Sequence, residues 1–127
     1  MALDSSPIEV THEGDVICIS LCDSQVQGAV LPHVAQDCIK AIKDVTSPRV
    51  VFNFEGIEYF PSTGLGTLIE FKQAIHDRGG EFRLAGLEPH ICDLFRISGL
   101  NHVFKICATV ADALSELQSV ASRPAPK

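Results

Sequence analysis

Glu58-Tyr59-Phe60-Pro61-Ser62-Thr63-Gly64-Leu65-Gly66 follows the apolar run RVVFNF (Arg49 to Phe54) and precedes a stretch whose Leu65, Leu68, Ile69 and Ile75 recur at helical spacing. Two hydroxyls therefore stand where a strand hands over to a helix. Such a junction can cap the helix, cradle a phosphate, hold a nucleophile or accept a phosphoryl group. The order strand, junction, helix bears on the fold, and the task of the hydroxyls bears on the function.

Working outward, RVVFNF is β-branched and aromatic without clean alternation, as expected of a strand covered on both faces in the middle of a sheet. Before it, IEVTH (Ile8 to His12) and DVICISL (Asp15 to Leu21) flank a Glu13-Gly14 turn and read as a hairpin. From Pro32 to Val45, the residues Val34, Cys38, Ala41, Ile42 and Val45 form a helical stripe that Ser47-Pro48 ends. After the junction helix, with Leu65, Leu68, Ile69 and Ile75 turned to the sheet, Gly79-Gly80 supplies a left-handed stop. EFRLAG then gives a strand. Glu88-Pro89 opens a helix with Ile91, Leu94 and Phe95 inward and Gly99 past its end, and VFKI (Val103 to Ile106) gives a last strand. Thr109 and Asp112 start a final helix carrying Ala113, Leu114, Leu117 and Val120. The pattern predicts an α/β domain with a mixed sheet entered through a hairpin. The domain is expected over residues 8–120, with 1–7 and 121–127 as flexible tails.

Composition narrows the function. The chain has 127 residues, 46% hydrophobic and 20% charged, which suits one domain with a sizeable core. Its apolar runs fall far short of the roughly 18 residues of a membrane span, and MALDSSP lacks the pattern of a secretory signal, so a cytoplasmic protein without membrane insertion is expected. A net charge of −6 with no basic cluster argues against nucleic acid as a direct partner. Five cysteines in a chain of this size suit reduced, buried thiols. His90 with Cys92, and His102 with Cys107, match no common zinc spacing, so neither metal nor cofactor is expected.

The same economy removes two readings of the junction. Gly64 and Gly66 lack the third glycine of a dinucleotide fingerprint, because Ile69 stands in its place, and no Lys-Ser or Lys-Thr follows for a phosphate loop. Ser62 lacks the preceding glycine of a nucleophile elbow. Capping and phosphoryl acceptance survive. Two glycines in a first turn cost about 1 kcal/mol each in helix propensity while leaving the hydroxyls open to close approach.

The block NFEGIEYFPSTGLGTLIEFKQAIHDRGGEF, with the later LFRISGLNHVF and a short last helix, resembles STAS domains of the anti-sigma factor antagonist type. The likeness rests on a strand followed by Ser-Ser/Thr-Gly-Leu-Gly, a helix and Gly-Gly, and independently on Ser98-Gly99-Leu100. It implies a mixed sheet of four or five strands with about four helices packed mainly on one face, and no enzymatic activity. The implied partner is an anti-sigma factor that is also a serine/threonine kinase, with at most a weak homodimer besides. Carried onto this chain, the phosphoacceptor is Thr63, with Ser62 as second choice. Pro61, Ser62, Thr63, Gly64, Leu65 and Gly66 form the partner surface, joined by Asp23, Ser24 and Gln25 in the loop CDSQVQG. One departure stands out: Pro61 occupies the place of the family's aspartate. That substitution favours an alternative, a constitutive adaptor or scaffold in a signalling or transporter assembly. A third class, an enzyme or small-molecule sensor, would require a convergent polar pocket that no motif of the chain announces.

Overall fold

The computed structural model describes residues 8–21 and 31–122. Its sheet contains β1 (Ile8–Glu13), β2 (Val16–Leu21), β3 (Arg49–Asn53), β4 (Glu81–Ala85) and β5 (Ile106–Cys107), and their spatial order is their chain order. β1 and β2 form the antiparallel hairpin, turning at Gly14 with a φ of 65°, and every later pairing is parallel. The helices are α1 (Leu31–Ile42), α2 (Thr63–Asp77), α3 (Pro89–Ile97) and α4 (Val110–Ser122), with a 3-10 turn at Leu100–His102. The sheet is thus mixed and entered by a hairpin, as the sequence predicts.

β3 is central because its side chains demand cover on both sides. Val50 and Phe52 enter the larger core with Ile17, Ile19, Leu84 and the inner faces of α1, α2 and α3. Val51 points the other way, onto Val16, Cys18, Ala85 and Cys107, where α4 lays down Ala113 and Leu117. Three helices therefore share one face and one helix covers the other. All seven phenylalanines lie in the larger layer as one network of ring contacts, closed through Phe52, Phe54, Phe95, Phe104 and Phe82 at centroid distances of 5.3 to 6.4 Å. Phe60 joins this ring through Phe54, and Phe71 joins it through Phe82. Edge-to-face pairs of this kind add roughly 0.5–1.5 kcal/mol each beyond their buried area.

Three expectations need correction. Helix α1 stops at Ile42 and leaves Val45 exposed, because the chain turns there and passes through Ser47 at a φ of 53°, held by Ser47 N–H to the Arg78 carbonyl. Ile69 is 41% exposed, and Phe71 takes an inward place beside Leu68 and Ile75. The periodicity around Leu65 fits either residue set, and the bulk of α1 packed alongside α2 decides which flank is covered. The last strand is Ile106–Cys107 rather than Val103 to Ile106. After Gly99, at a φ of 81°, the N–H groups of Val103 and Phe104 both bond to the Leu100 carbonyl, and this turn drops Phe104 into the phenylalanine ring before the strand begins.

The two glycines after α2 serve different ends. Gly79 takes the left-handed conformation, with a φ of 73°. Gly80 lies so close to the Pro48 carbonyl and to Ile75 that a methyl group would overlap both. The capping motif of α4 forms as read, with the Asp112 N–H bonded to Thr109 Oγ1 at 3.0 Å. Leu114 is half-buried in this layer, α4 runs two residues into the tail expected at 121–127, and the side chain of Val120 and residues 1–7 and 123–127 lie outside the described residues.

α4 is also held by charge. Arg83 is buried in β4 and donates from Nε to Glu116 at 2.9 Å and from Nη1 to Glu81 at 3.1 Å. Burial opposes the Arg83 charge, and the bonds to Glu116 and Glu81 outweigh it. Glu116 is held below its ordinary value of 4.5, first by the hydrogen bond from Arg83. A depressed carboxyl stabilises the fold above its unfolded value and ceases to do so as pH falls through the folded one. The difference in stability between the parent and Glu116→Gln, at most about 1 kcal/mol for so exposed a carboxylate, is therefore expected at pH 7 and should fade as pH falls below the ordinary value of 4.5 and through the depressed folded one in urea unfolding; a constant difference would refute the linkage. In the same assay Leu68→Ala is expected to cost about 2–5 kcal/mol and Ile69→Ala less than about 1 kcal/mol.

Candidate functional site

Beyond Asn53 the chain stays in register for one more residue, with the Phe54 N–H on the Ala85 carbonyl at 2.8 Å. Asn53 then secures the exit. Its Oδ1 accepts the Glu55 N–H at 2.8 Å and its Nδ2 donates to Ser20 Oγ at 3.3 Å, tying together the carboxyl ends of β2 and β3. The loop plants Ile57 and Phe60 in the core, and His90 Nε2 of α3 donates to the Glu58 carbonyl at 2.5 Å. Four elements thus converge under the start of α2.

The start itself is made by backbone. Gly64 N–H bonds to the Pro61 carbonyl at 2.8 Å and Leu65 N–H to the Ser62 carbonyl at 3.1 Å, a tight first turn that satisfies these donors without side chains. Ser62 already has helical angles, a φ of −61° and a ψ of −27°, and makes no side-chain cap bond. The capping reading of the hydroxyls therefore fails. Ser62 and Thr63 are both exposed, and among the described residues neither hydroxyl has a hydrogen-bond partner.

The two glycines of the turn also part company. At Gly64 a Cβ would stand 2.6 Å from the Phe60 ring, so this glycine exists for packing. At Gly66 a Cβ would meet nothing within 4 Å. Gly66 is exposed, and no contact within the described fold accounts for its cost in helix propensity. Leu65 is buried and anchors the turn from below.

The structure thus brings Ser62, Thr63 and Gly66 together on an open turn above Gly64 and Leu65, with Pro61 half-buried at its entrance. Asp23, Ser24 and Gln25 lie outside the described residues. Two residues that the sequence reading did not assign to this surface adjoin it: Tyr59, 52% exposed in the entering loop, and Ile69, one turn beyond Gly66 on the same side of α2. A large apolar side chain on an outer stripe would have been the signal for Ile69, but its spacing also fits the core.

The three buried thiols among the described residues offer no rival centre. Burial, reinforced by the charge of Asp37, pushes Cys38 up to about 12, and burial likewise raises Cys18 and Cys107 above the ordinary thiol value. A thiol held protonated is a poor nucleophile. Among the described residues no three His, Cys, Asp or Glu side chains gather as a metal set, and no helix is long and apolar enough to cross a membrane.

The family model of the STAS domain matches residues 7–113. The chain belongs to the STAS domain family. An anti-sigma F factor antagonist of Paenibacillus polymyxa is 25% identical over 118 residues, covering 89% of this chain and 96% of that one. Among solved structures, an anti-sigma-factor antagonist (STAS) domain protein from Planctomyces limnophilus superposes with a TM-score of 0.81 at 23% identity, over 87% of this chain and 97% of the other. The Bacillus cell fate determinant SpoIIAA in its phosphorylated form gives a TM-score of 0.66 at 18% identity, over 86% and 97% of the two chains. These likenesses establish an α/β STAS fold.

The different duties of the two glycines of this STAS domain are directly measurable. Gly64→Ala is expected to lose roughly 1–3 kcal/mol through overpacking against Phe60, whereas Gly66→Ala should gain up to about 1 kcal/mol. Thermal unfolding of the pair tests this, and equal effects would contradict the geometry.

Proposed function

We propose that this STAS domain is an anti-sigma factor antagonist that docks, through the open first turn of α2, onto an anti-sigma factor that is also a serine/threonine kinase. Phosphorylation of Thr63 ends the association. On this reading it is a cytoplasmic regulatory binding protein and not an enzyme. The observation that carries the proposal is the bare turn: two hydroxyls without a structural task stand beside a glycine that no internal contact requires. A helix start made by backbone leaves its side chains available to something else.

The physics of the switch is local. Without phosphate, Ser62, Thr63 and Gly66 present a small, polar, closely approachable surface, flanked by the apolar Tyr59 and Ile69 as anchors of the kind that dominate interface energies. Phosphorylation places roughly −1.5 to −2 charges and three acceptor oxygens in that contact. The α2 dipole favours the charge in the free protein, while a partner packed over Gly66 must pair it or leave it desolvated. Thr63 is preferred over Ser62 because it matches the family's acceptor position. SpoIIAA, a relative known in a phosphorylated form, supports an acceptor in this fold.

Pro61 favours a second reading, a constitutive scaffold. The carbonyl of residue 61 serves the Gly64 N–H whatever its side chain, so the junction keeps its shape without the family's carboxylate, and binding can persist where kinase recognition is lost.

The test pairs partner binding with phosphopeptide mapping after incubation with ATP and the cognate anti-sigma factor kinase. Thr63→Glu should bind at least about tenfold more weakly, equivalent to 1.4 kcal/mol. Thr63→Ala should bind and resist phosphorylation, with stability within about 0.5 kcal/mol of the parent because no cap bond is lost. Ser62→Ala should remain regulated. Parent-like binding by Thr63→Glu, together with an unmodified Thr63, would exclude the switch and leave the scaffold.

A further inference from the structure

β5 pairs with only the last two residues of β4, Leu84 and Ala85, so the first half of β4 has an open edge. Beside that edge lies a recess of about 140 Å³, bounded by the last turns of α2 and by the segment that enters β5. Lys72 and His76 of α2, Lys105 ahead of β5, and Glu81, Phe82 and Arg83 of β4 line it. The chain has a net charge of −6 and only ten lysines and arginines, yet three of the ten border this one recess.

The charges do not cancel. Glu81 is engaged by Arg83 at 3.1 Å, and Arg83 is engaged again by Glu116. Lys72 and Lys105 have no ion pair among the described residues, although the Lys105 charge also acts on Glu116, so the two lysines, Arg83, Glu81 and Glu116 together carry one net positive charge. The carboxyl end of α2 contributes a partial negative charge of about half a unit, screened by solvent and smaller than either lysine. Backbone geometry adds a donor. The Glu81 N–H faces β3, on the Pro48 carbonyl, and the Leu84 N–H faces the other edge, on the Lys105 carbonyl. The period of two along a strand turns the Phe82 N–H to that second edge as well, where β5 has not yet begun. Two lysines, a histidine and an edge N–H lining one recess supply donors of the kind that the acceptor oxygens of a tetrahedral anion require.

We propose that this recess binds a small oxyanion of the phosphate class, either free phosphate or the phosphoryl group of a small phosphomonoester. His76 lies 13 residues beyond Thr63, about 20 Å along α2, so the recess is separate from the docking surface and the proposal does not depend on the partner switch.

The test is an amide NMR titration of the full chain with sodium phosphate at fixed pH, against sodium chloride at equal ionic strength. Expected are saturable shifts at Phe82, His76 and Lys105 that chloride does not reproduce. Lys72→Gln and Lys105→Gln should each weaken binding about tenfold, and Lys72→Arg with Lys105→Arg should preserve it. Glycerol phosphate is titrated in parallel: tighter binding than free phosphate identifies a phosphomonoester, and the reverse identifies the free anion. Shifts equal to those in chloride, or parent-like affinity in the double glutamine variant, would overturn the proposal.

Discussion

The seating of one ring, Phe60, between Phe54 and the bare backbone of Gly64 is the constraint on which the arrangement depends. Phe54 continues the central strand, Phe60 touches it at a centroid distance of 5.2 Å, and no side chain at position 64 could share the space. The contact fixes where the loop ends and therefore where α2 begins. Because Phe54 also belongs to the closed ring of phenylalanines, the helix start is coupled to the packing of the whole larger layer. A site built on such a loop has the rigidity of a core element.

That rigidity changes the meaning of the exposed residues. In most helix starts a Ser or Thr hydroxyl is consumed by the backbone, and its presence needs no further account. Here the Pro61 and Ser62 carbonyls meet the first donors, and the hydroxyls of Ser62 and Thr63 are left over. Gly66 repeats the message in another form, since it forgoes helix propensity with no neighbour to avoid. A fold that gives up local stability at a surface point, while packing its interior densely, marks that point for contact with another molecule.

The two ends of α2 carry different chemistry. Its first turn lies over the carboxyl ends of β2 and β3, where Asn53 and Ser20 bind the strands together. Its last turns border the open edge of β4, where cationic side chains gather in an otherwise acidic protein. On the opposite face α4 is fastened by Arg83, whose buried charge is tolerated only because Glu81 and Glu116 reach it.

Much of this was legible in the sequence. The hairpin, the doubly covered strand at Val50 to Phe52, the α2 stripe, the stop at Gly79 and the position of Thr63 at a helix start all follow from periodicities and turn residues that act within a few positions of one another. What lay beyond reach involves residues distant in the chain. Whether Ile69 or Phe71 faces the core depends on how α1 lies beside α2, and the late start of β5 depends on the gap that Phe104 fills between Phe82 and Phe95. The difference between Gly64 and Gly66 is invisible in a row of letters, because it is the Phe60 ring that distinguishes them. Lys72, His76 and Lys105 announce no motif, and only the register of β4 and β5 against α2 brings them to one recess. Local geometry is encoded by neighbours along the chain, while convergence in space is set by the packing of the sheet and its two helical layers.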